Sequence, residues 1–297
     1  MSSSSQLRSK AFDILNVFFM IAIIVVTLGP FWFTIVGSFN SGLDYLRGGV
    51  YFWPREFTIA NYSAVLSDET IYQAFFVTGF RTIVGTFIHV LFTALIAYGL
   101  SRPYLVGRNV YMIIIMITMF FSGGLIPTYL LYKELGLLNN MLVYIIPNMF
   151  SVWDLIIIMS FMRTIPDAIL ESARMDGASE YRIFFGFILS LSKPVLAAIT
   201  LFNGVYHWNS YFDSMMFTSS DSLQTVQLFL MRMVTSADFA NGVSKAALAN
   251  IPTQALKVSP ETMKLAMMMV VSIPIIVIYP FLQKYFVKGI MIGSIKG

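Results

Sequence analysis

Cysteine is absent from this 297-residue sequence, which excludes disulfide scaffolds, thiolate metal sites and thiol nucleophiles. Charge is scarce as well: Asp, Glu, Lys and Arg make up 11% of the chain, against roughly 25% in a soluble domain. No G-x-x-x-x-G-K-S/T stretch occurs, so the chain has no phosphate-cradling loop of that type, and no catalysis is expected of it. No metal site and no bound cofactor is read from the sequence. No internal repeat stands out either, which leaves the inverted-repeat plan of many secondary carriers without support.

What is present is apolar sequence in long runs. Hydrophobic residues make up 57% of the chain, and about 20 apolar helical residues cross a hydrocarbon core of about 30 Å. Six stretches meet that length, at 12–36, 77–100, 110–132, 141–162, 183–207 and 263–286. The expected fold is an all-α polytopic membrane protein with six transmembrane helices, forming a single transmembrane domain over 1–297. Ser190, Ser192, Lys193 and Pro194 interrupt the fifth stretch, whose membrane part is expected to begin near Pro194. The N-terminal MSSSSQLRSK is polar, and the run behind it lacks a small-residue cleavage site. That is the pattern of a retained first helix rather than a removed leader. Gly29-Pro30, Gly123-Gly124 with Pro127, Pro147, Pro274 and Pro280 lie inside the runs. Such breaks suit a bundle around a pathway, where neighbouring helices or a wet cavity satisfy the freed carbonyls; Gly and Pro are also simply commoner in membrane helices.

The net charge is +4, but the cations are scattered between apolar runs instead of gathered on one face, so nucleic acid is not an expected partner. They read as topology signals. One side collects Arg8, Lys10, Arg102, Arg108, Arg163, Arg174, Arg182, Lys193, Lys284, Lys288 and Lys296. The other holds Arg47, Arg55, Lys133, Arg232, Lys245, Lys257 and Lys264, mostly in long loops that weigh little in the rule. Both termini are therefore expected in the cytoplasm, with outer segments at 40–76 and 208–262 too long for simple turns.

The loop at 163–182 carries the clearest local pattern. Pro166 suits a first helical position, Asp167 favours the positive start of a helix, and Gly177 supplies a left-handed stop. A helix of about three turns is expected, with Ser179 as N-cap of the next one. Ile165, Ile169 and Ala173 share one face at a spacing of four.

This loop resembles the signature of ABC-importer permeases, in which Glu-Ala-Ala is followed after three residues by Gly and later by Ile-x-Leu-Pro. Glu171, Ser172, Ala173 and Gly177 match in spacing, while Phe187, Leu189 and Ser190 replace the later residues. The wider string from Ile165-Pro166 to Asp176-Gly177-Ala178-Ser179 is similar to carbohydrate permeases of the maltose-permease type. So are Ala97 to Arg102, Tyr206-His207-Trp208-Asn209, Pro260-Glu261-Thr262 and the tail from Lys288 to Gly297. The resemblance implies the smaller, six-helix permease of an oligosaccharide importer in a bacterial plasma membrane. It implies a heterodimer with a second permease subunit, two copies of an ABC ATPase that bind ATP and Mg, and an extracellular sugar-binding protein. In that family the loop helix docks in the ATPase cleft, which assigns coupling to Glu171, Ser172, Ala173, Asp176 and Gly177.

Polar residues inside the runs are functional candidates by default. His89 and Asp154 are substrate-path candidates, with helix-to-helix hydrogen bonding as the structural alternative. Arg81 is expected to snorkel to the outer surface. Ser219 to Ser222 are good helix starters, Leu223, Val226, Leu230 and Val234 make a helical stripe, and Ala237 to Gly242 reads as a turn-rich tip. Asp238, Phe239, Asn241 and Gly242 on that tip are candidates for docking the binding protein. Two other classes of function stay open at this point: a proton-coupled carrier using Asp154 and His89, and a non-transporting membrane scaffold.

Overall fold

A computed structural model of the chain describes residues 2–244 and 257–294, with side chains described over 12–235 and 257–280. Among the described residues there is no strand; the extended pairing present is an isolated bridge between Asn40 and Phe57. In chain order the helices are α1 (Ser2–Ser38), α2 (Gly42–Leu46), α3 (Ala60–Leu66), α4 (Glu69–Ser101), α5 (Arg108–Phe120), α6 (Leu125–Glu134) and α7 (Val152–Met162). They continue with α8 (Asp167–Met175), α9 (Glu180–Leu191), α10 (Lys193–Asn209), α11 (Phe212–Phe217), α12 (Val226–Ser244) and α13 (Pro260–Ser294).

Among the described residues three helical stretches are long and apolar enough to cross a membrane, Phe12–Ser38, Glu69–Ser101 and Pro260–Pro280; counting each of two bent pairs as one span gives up to five. The bends fall where the sequence places its breakers. In the third apolar run α5 and α6 meet at 116°, because Gly124 takes φ +82, a conformation that costs Gly little. In the fifth, α9 and α10 meet at 79° around Ser192, with Pro194 in the first turn of α10. The fourth run, 141–162, is not one continuous helix. A 3-10 turn at Met141–Tyr144 comes first, and α7 starts only after Pro147, capped by Ser151, whose Oγ accepts from Asp154 N at 3.3 Å. Pro147 has no N–H to give a helix, and a side-chain cap sets the new start.

The residues pack as two units, 1–69 with 232–273 and 70–231 with 274–297. In the first, a polar network fixes the segment after α1. Asn40 Nδ2 donates to Asp44 Oδ2 at 2.8 Å, Arg55 Nε donates to the same oxygen at 3.0 Å, and Glu56 N donates to Asn40 Oδ1. Asn61 Nδ2 donates to the carbonyls of Ser38 and Asn40, while Thr262 Oγ1 donates to Asn61 Oδ1 at 2.8 Å. Gly42 lies so close to Ser259 that a Cβ would collide with its backbone N. The Asn40 amide, with Arg55 beside it, holds the Asp44 carboxyl below the usual carboxylate range.

In the second unit α4 packs along α7 and α10, and α5 along α7. Ala94 and Ala97 are fully buried on α4, and such small residues let membrane helices approach closely. Leu155, Ile158, Met159 and Met162 form the facing stripe of α7 at spacings of three and four. The same core continues through Leu170 and Ala173 of α8 and Ile183, Phe184 and Ile188 of α9. The short helix between the two apolar runs is thus packed into the bundle.

Candidate functional site

The segment 163–182 folds through local sequence chemistry. Asp167 opens α8, one residue after Pro166, which occupies the N-cap and not the first helical position. The helix closes in a Schellman turn. Gly177 sits at φ +76, its N–H bonds to Arg174 O at 2.9 Å, and Ala178 N–H bonds back to Ala173 O at 3.0 Å. Ser179 then caps α9, its Oγ accepting from Arg182 N. Among the residues proposed for coupling, Ala173 faces the core, whereas Glu171, Ser172, Asp176 and Gly177 are exposed. Leu170 is also buried, worth about 2 kcal/mol of apolar transfer. Ile165 is buried just before the helix and Ile169 half-buried on it.

Polar contacts bind this helix to its surroundings. Arg174 Nε donates to Glu180 Oε1 at 2.8 Å, and its Nη2 donates to Tyr104 Oη at 2.6 Å. The second Glu180 oxygen accepts from the Tyr98 hydroxyl. Arg102 lies 3.7 Å from Asp167 at the head of α8. One face of α8 is therefore tied to α4, α9 and the α4–α5 turn, and the opposite face carries Glu171, Met175 and Asp176 into solvent. Sequence reading did not find the Arg174–Glu180 pair, although a cation and a carboxylate flanking a Gly turn were a signal for it.

His89 and Asp154 come together across α4 and α7. Nε2 of His89 lies 2.8 Å from Asp154 Oδ2, and Nδ1 lies 2.7 Å from the carbonyl of Asn148. A carbonyl only accepts, so Nδ1 carries a proton. Nε2 then either donates to a carboxylate or accepts from a carboxylic acid, and in both arrangements the pair is neutral overall. A neutral, hydrogen-bonded pair is far cheaper in a membrane bundle than a lone charge.

Arg81 does not snorkel. It is 0% exposed, its Nη1 donates to Asp213 Oδ1 at 3.0 Å, its Nη2 lies 2.5 Å from Oδ2, and its guanidinium stacks 4.5 Å from the Tyr144 ring centre. A π-turn at Arg81–Gly85 inserts an extra residue into α4 at this place. Gly85 lies against the buried His207 ring, where a Cβ would meet Nε2 at 2.8 Å. An unpaired cation in an apolar run calls for a counter-charge, and Asp213, just past the fifth run, was its available partner in the sequence.

The outer segment differs from expectation. Asp221–Leu223 is a 3-10 turn, α12 starts at Val226, and its backbone stays helical through 237–242, where a turn-rich tip was expected. The helix starters Ser219 to Ser222 lead into the 3-10 turn, and α12 begins only at Val226. The side chains of Asp238, Phe239, Asn241 and Gly242 lie outside the described residues.

No family model matches the chain. Over 289 residues it is 36% identical to Protein LplC of Bacillus subtilis, covering 97% of this chain and 96% of that protein. It is 34% identical over 292 residues to the polygalacturonan/rhamnogalacturonan transport system permease protein YtcP of Bacillus subtilis, covering 98% and 100%. Among solved structures it is similar to a chain of a bacterial ABC transporter involved in the import of the acidic polysaccharide alginate. The TM-score is 0.85 at 29% identity, covering 96% of this chain and 99% of that one. The chain therefore belongs to the family of sugar ABC transporter permeases.

Proposed function

We propose that this permease crosses the membrane six times with both termini in the cytoplasm, and that α8 is the element through which a separate ATPase drives it. The bent and interrupted runs at 110–132, 141–162 and 183–207 count as one crossing each. The observation that carries this reading is the two-sided character of α8. Leu170, Ala173 and Arg174 fasten it to the bundle, and Glu171, Met175 and Asp176 are left exposed for a partner. A helix seated in a cleft of the ATPase on one face and packed into the bundle on the other transmits rigid-body motion without needing chemistry of its own.

In this account the chain pairs with a second permease subunit. Two ABC ATPase copies hold ATP and Mg in the cytoplasm, and an extracellular sugar-binding protein delivers cargo to the outer segments, the stretch 238–242 among them. ATP binding closes the ATPases, α8 and its counterpart move with them, and the two bundles tilt in opposite senses. The cargo is an oligosaccharide. Relatives named for polygalacturonan/rhamnogalacturonan and for the acidic polysaccharide alginate support fragments of an acidic glycan. His89 and Asp154 act in this scheme as a neutral tie between α4 and α7.

Uptake into vesicles carrying the assembled complex tests the scheme. Accumulation of labelled oligosaccharide is expected to require ATP and the binding protein and to persist when a protonophore is added. Uptake abolished by the protonophore at constant ATP would assign the chain to proton-coupled carriage. Single cysteines at Ser4, Ser179 and Ser294 are expected to resist an impermeant thiol reagent in intact cells, and those at Ser63 and Ser236 to react.

A further inference from the structure

A cavity of about 280 Å³ opens where the end of α4, the start of α5, the end of α7 and the head of α8 meet. Three guanidinium groups line it, those of Arg102, Arg108 and Arg163, against the single carboxylate of Asp167. Arg102 is built into the wall. It is 4% exposed, its Nε donates to Ser101 Oγ at 3.0 Å, and its guanidinium lies 5.0 Å from the Tyr98 ring centre. Its counter-charge is weak, because Asp167 is 3.7 Å away and 71% exposed, beyond a good hydrogen bond. Arg108 Nε is buried without a hydrogen-bond partner among the described residues. Arg163 directs Nη2 at Met159 Sδ, 3.2 Å away, a weak acceptor. The nearby carboxylate of Glu180 is already engaged by Arg174 and Tyr98.

The buried Arg108 Nε left unsatisfied is costly, and three cations around one carboxylate repel one another, Arg163 from the exposed rim. A tetrahedral oxyanion answers both costs at once, since its oxygens accept from several planar guanidinium forks. Basic pockets between membrane helices on the cytoplasmic side are suited to anionic headgroups, and this pocket lies at an Arg-bearing end of the bundle. We infer that it binds a phosphate group, supplied by an anionic phospholipid of the inner leaflet. Bound there, the headgroup bridges Arg108 and Arg163 beside Asp167 and so steadies the head of α8. That consequence rests on the coupling role proposed for α8; the anion site itself does not.

Native mass spectrometry of the assembled transporter, offered mixed micelles of phosphatidylglycerol and phosphatidylcholine, reads the site directly. The wild-type complex is expected to retain phosphatidylglycerol selectively, and the Arg108→Gln/Arg163→Gln complex to retain it about tenfold less. Both positions lie on the pocket wall, so Arg102 and the core stay intact. The Arg108→Lys/Arg163→Lys complex keeps the charge, and its partial retention separates loss of the site from loss of the fold. Inorganic phosphate that raises the wild-type Tm but not that of the Gln variant, without any lipid preference, supports the site with free phosphate as its occupant. Equal lipid retention by wild type and Gln variant, with no phosphate-dependent shift in either, overturns the inference. Loss of ATPase binding in the Gln variant with lipid retention and phosphate response unchanged also overturns it, by assigning these arginines to a protein partner. Lipid retention is read without transport, so a failure of ATP-driven uptake would count against the coupling scheme alone.

Discussion

Arg174 and Glu180 face each other across the left-handed turn at Gly177, Nε to Oε1 at 2.8 Å. The contact closes a small ring: Tyr104 accepts from the same arginine and Tyr98 donates to the same carboxylate. It ties the end of α8 to the start of α9 across that turn, and on the coupling role proposed for α8 it bears on transport more than on stability.

Arg174→Ala is therefore expected to cost little stability and much transport. The two side chains are 33% and 52% exposed, and a pair this open contributes about 0–1 kcal/mol. Thermal melting of the purified complex should shift only slightly, while ATP-driven uptake falls several-fold. The swap Arg174→Glu/Glu180→Arg should recover part of the uptake. Equal uptake in wild type and Arg174→Ala would remove the pair from the coupling path.

Gly177→Asp and Glu171→Ala are expected to fail differently. An L side chain at φ +76 strains the turn by roughly 1–2 kcal/mol, so Gly177→Asp should disturb the direction of α9 as well as ATPase binding. Glu171 is exposed, so Glu171→Ala should leave the bundle unchanged and weaken only ATPase binding. Pull-down of the ATPase alongside membrane abundance separates the two.

Much of this was legible in the chain. The stop at Gly177 and the cap at Ser179 follow from short-range rules and stand in the structure as read, whereas the apolar face of α8 centres on Leu170 and Ala173, with Ile169 half-buried and Ile165 lying before the helix. Bends in the third and fifth apolar runs fall at Gly124 and Ser192, next to the breakers read in them. What could not be read was partnership over distance. Arg81 finds Asp213 132 positions away, and Tyr98 reaches Glu180 across 82. The run 141–162 was read as one crossing with Pro147 inside it, whereas Pro147 and the Ser151 cap divide it into a 3-10 turn and α7. The family and its sugar-import role came from the resemblance of the loop and agree with the relatives.

The His89–Asp154 pair gives a test of carrier chemistry. Asp154→Leu alone strands a buried imidazole and is expected to cost about 3 kcal/mol. The double variant His89→Phe/Asp154→Leu removes both polar groups and should recover most of that stability. It should also keep ATP-driven uptake if, as proposed, the pair is a tie and not a proton relay. Retained stability with abolished uptake would reverse this assignment.

Acid should loosen the segment after α1. The folded Asp44 carboxyl is held below its usual range, first by the Asn40 amide and then by Arg55. The stabilisation is thus fully present above the unfolded value of about 3.9 and is lost as pH falls through the lower folded value. Hydrogen exchange at the amides of Ser41 and Thr58, which bond to Glu56 O and Phe39 O, should accelerate below about pH 4. Asp44→Asn should remove that acid dependence.

The central claim is that an ATPase grips the exposed face of α8, and a cross-link tests it most directly. Because the chain contains no cysteine, Ser172→Cys supplies a single thiol on that face for a short bifunctional reagent in the assembled, membrane-embedded transporter. The account predicts a covalent adduct with the ATPase, a block of ATP-driven uptake on cross-linking, and recovery of uptake when the linker is cleaved. A Ser172→Cys thiol that forms no adduct with the ATPase, and that an impermeant reagent labels from outside intact cells, would contradict it.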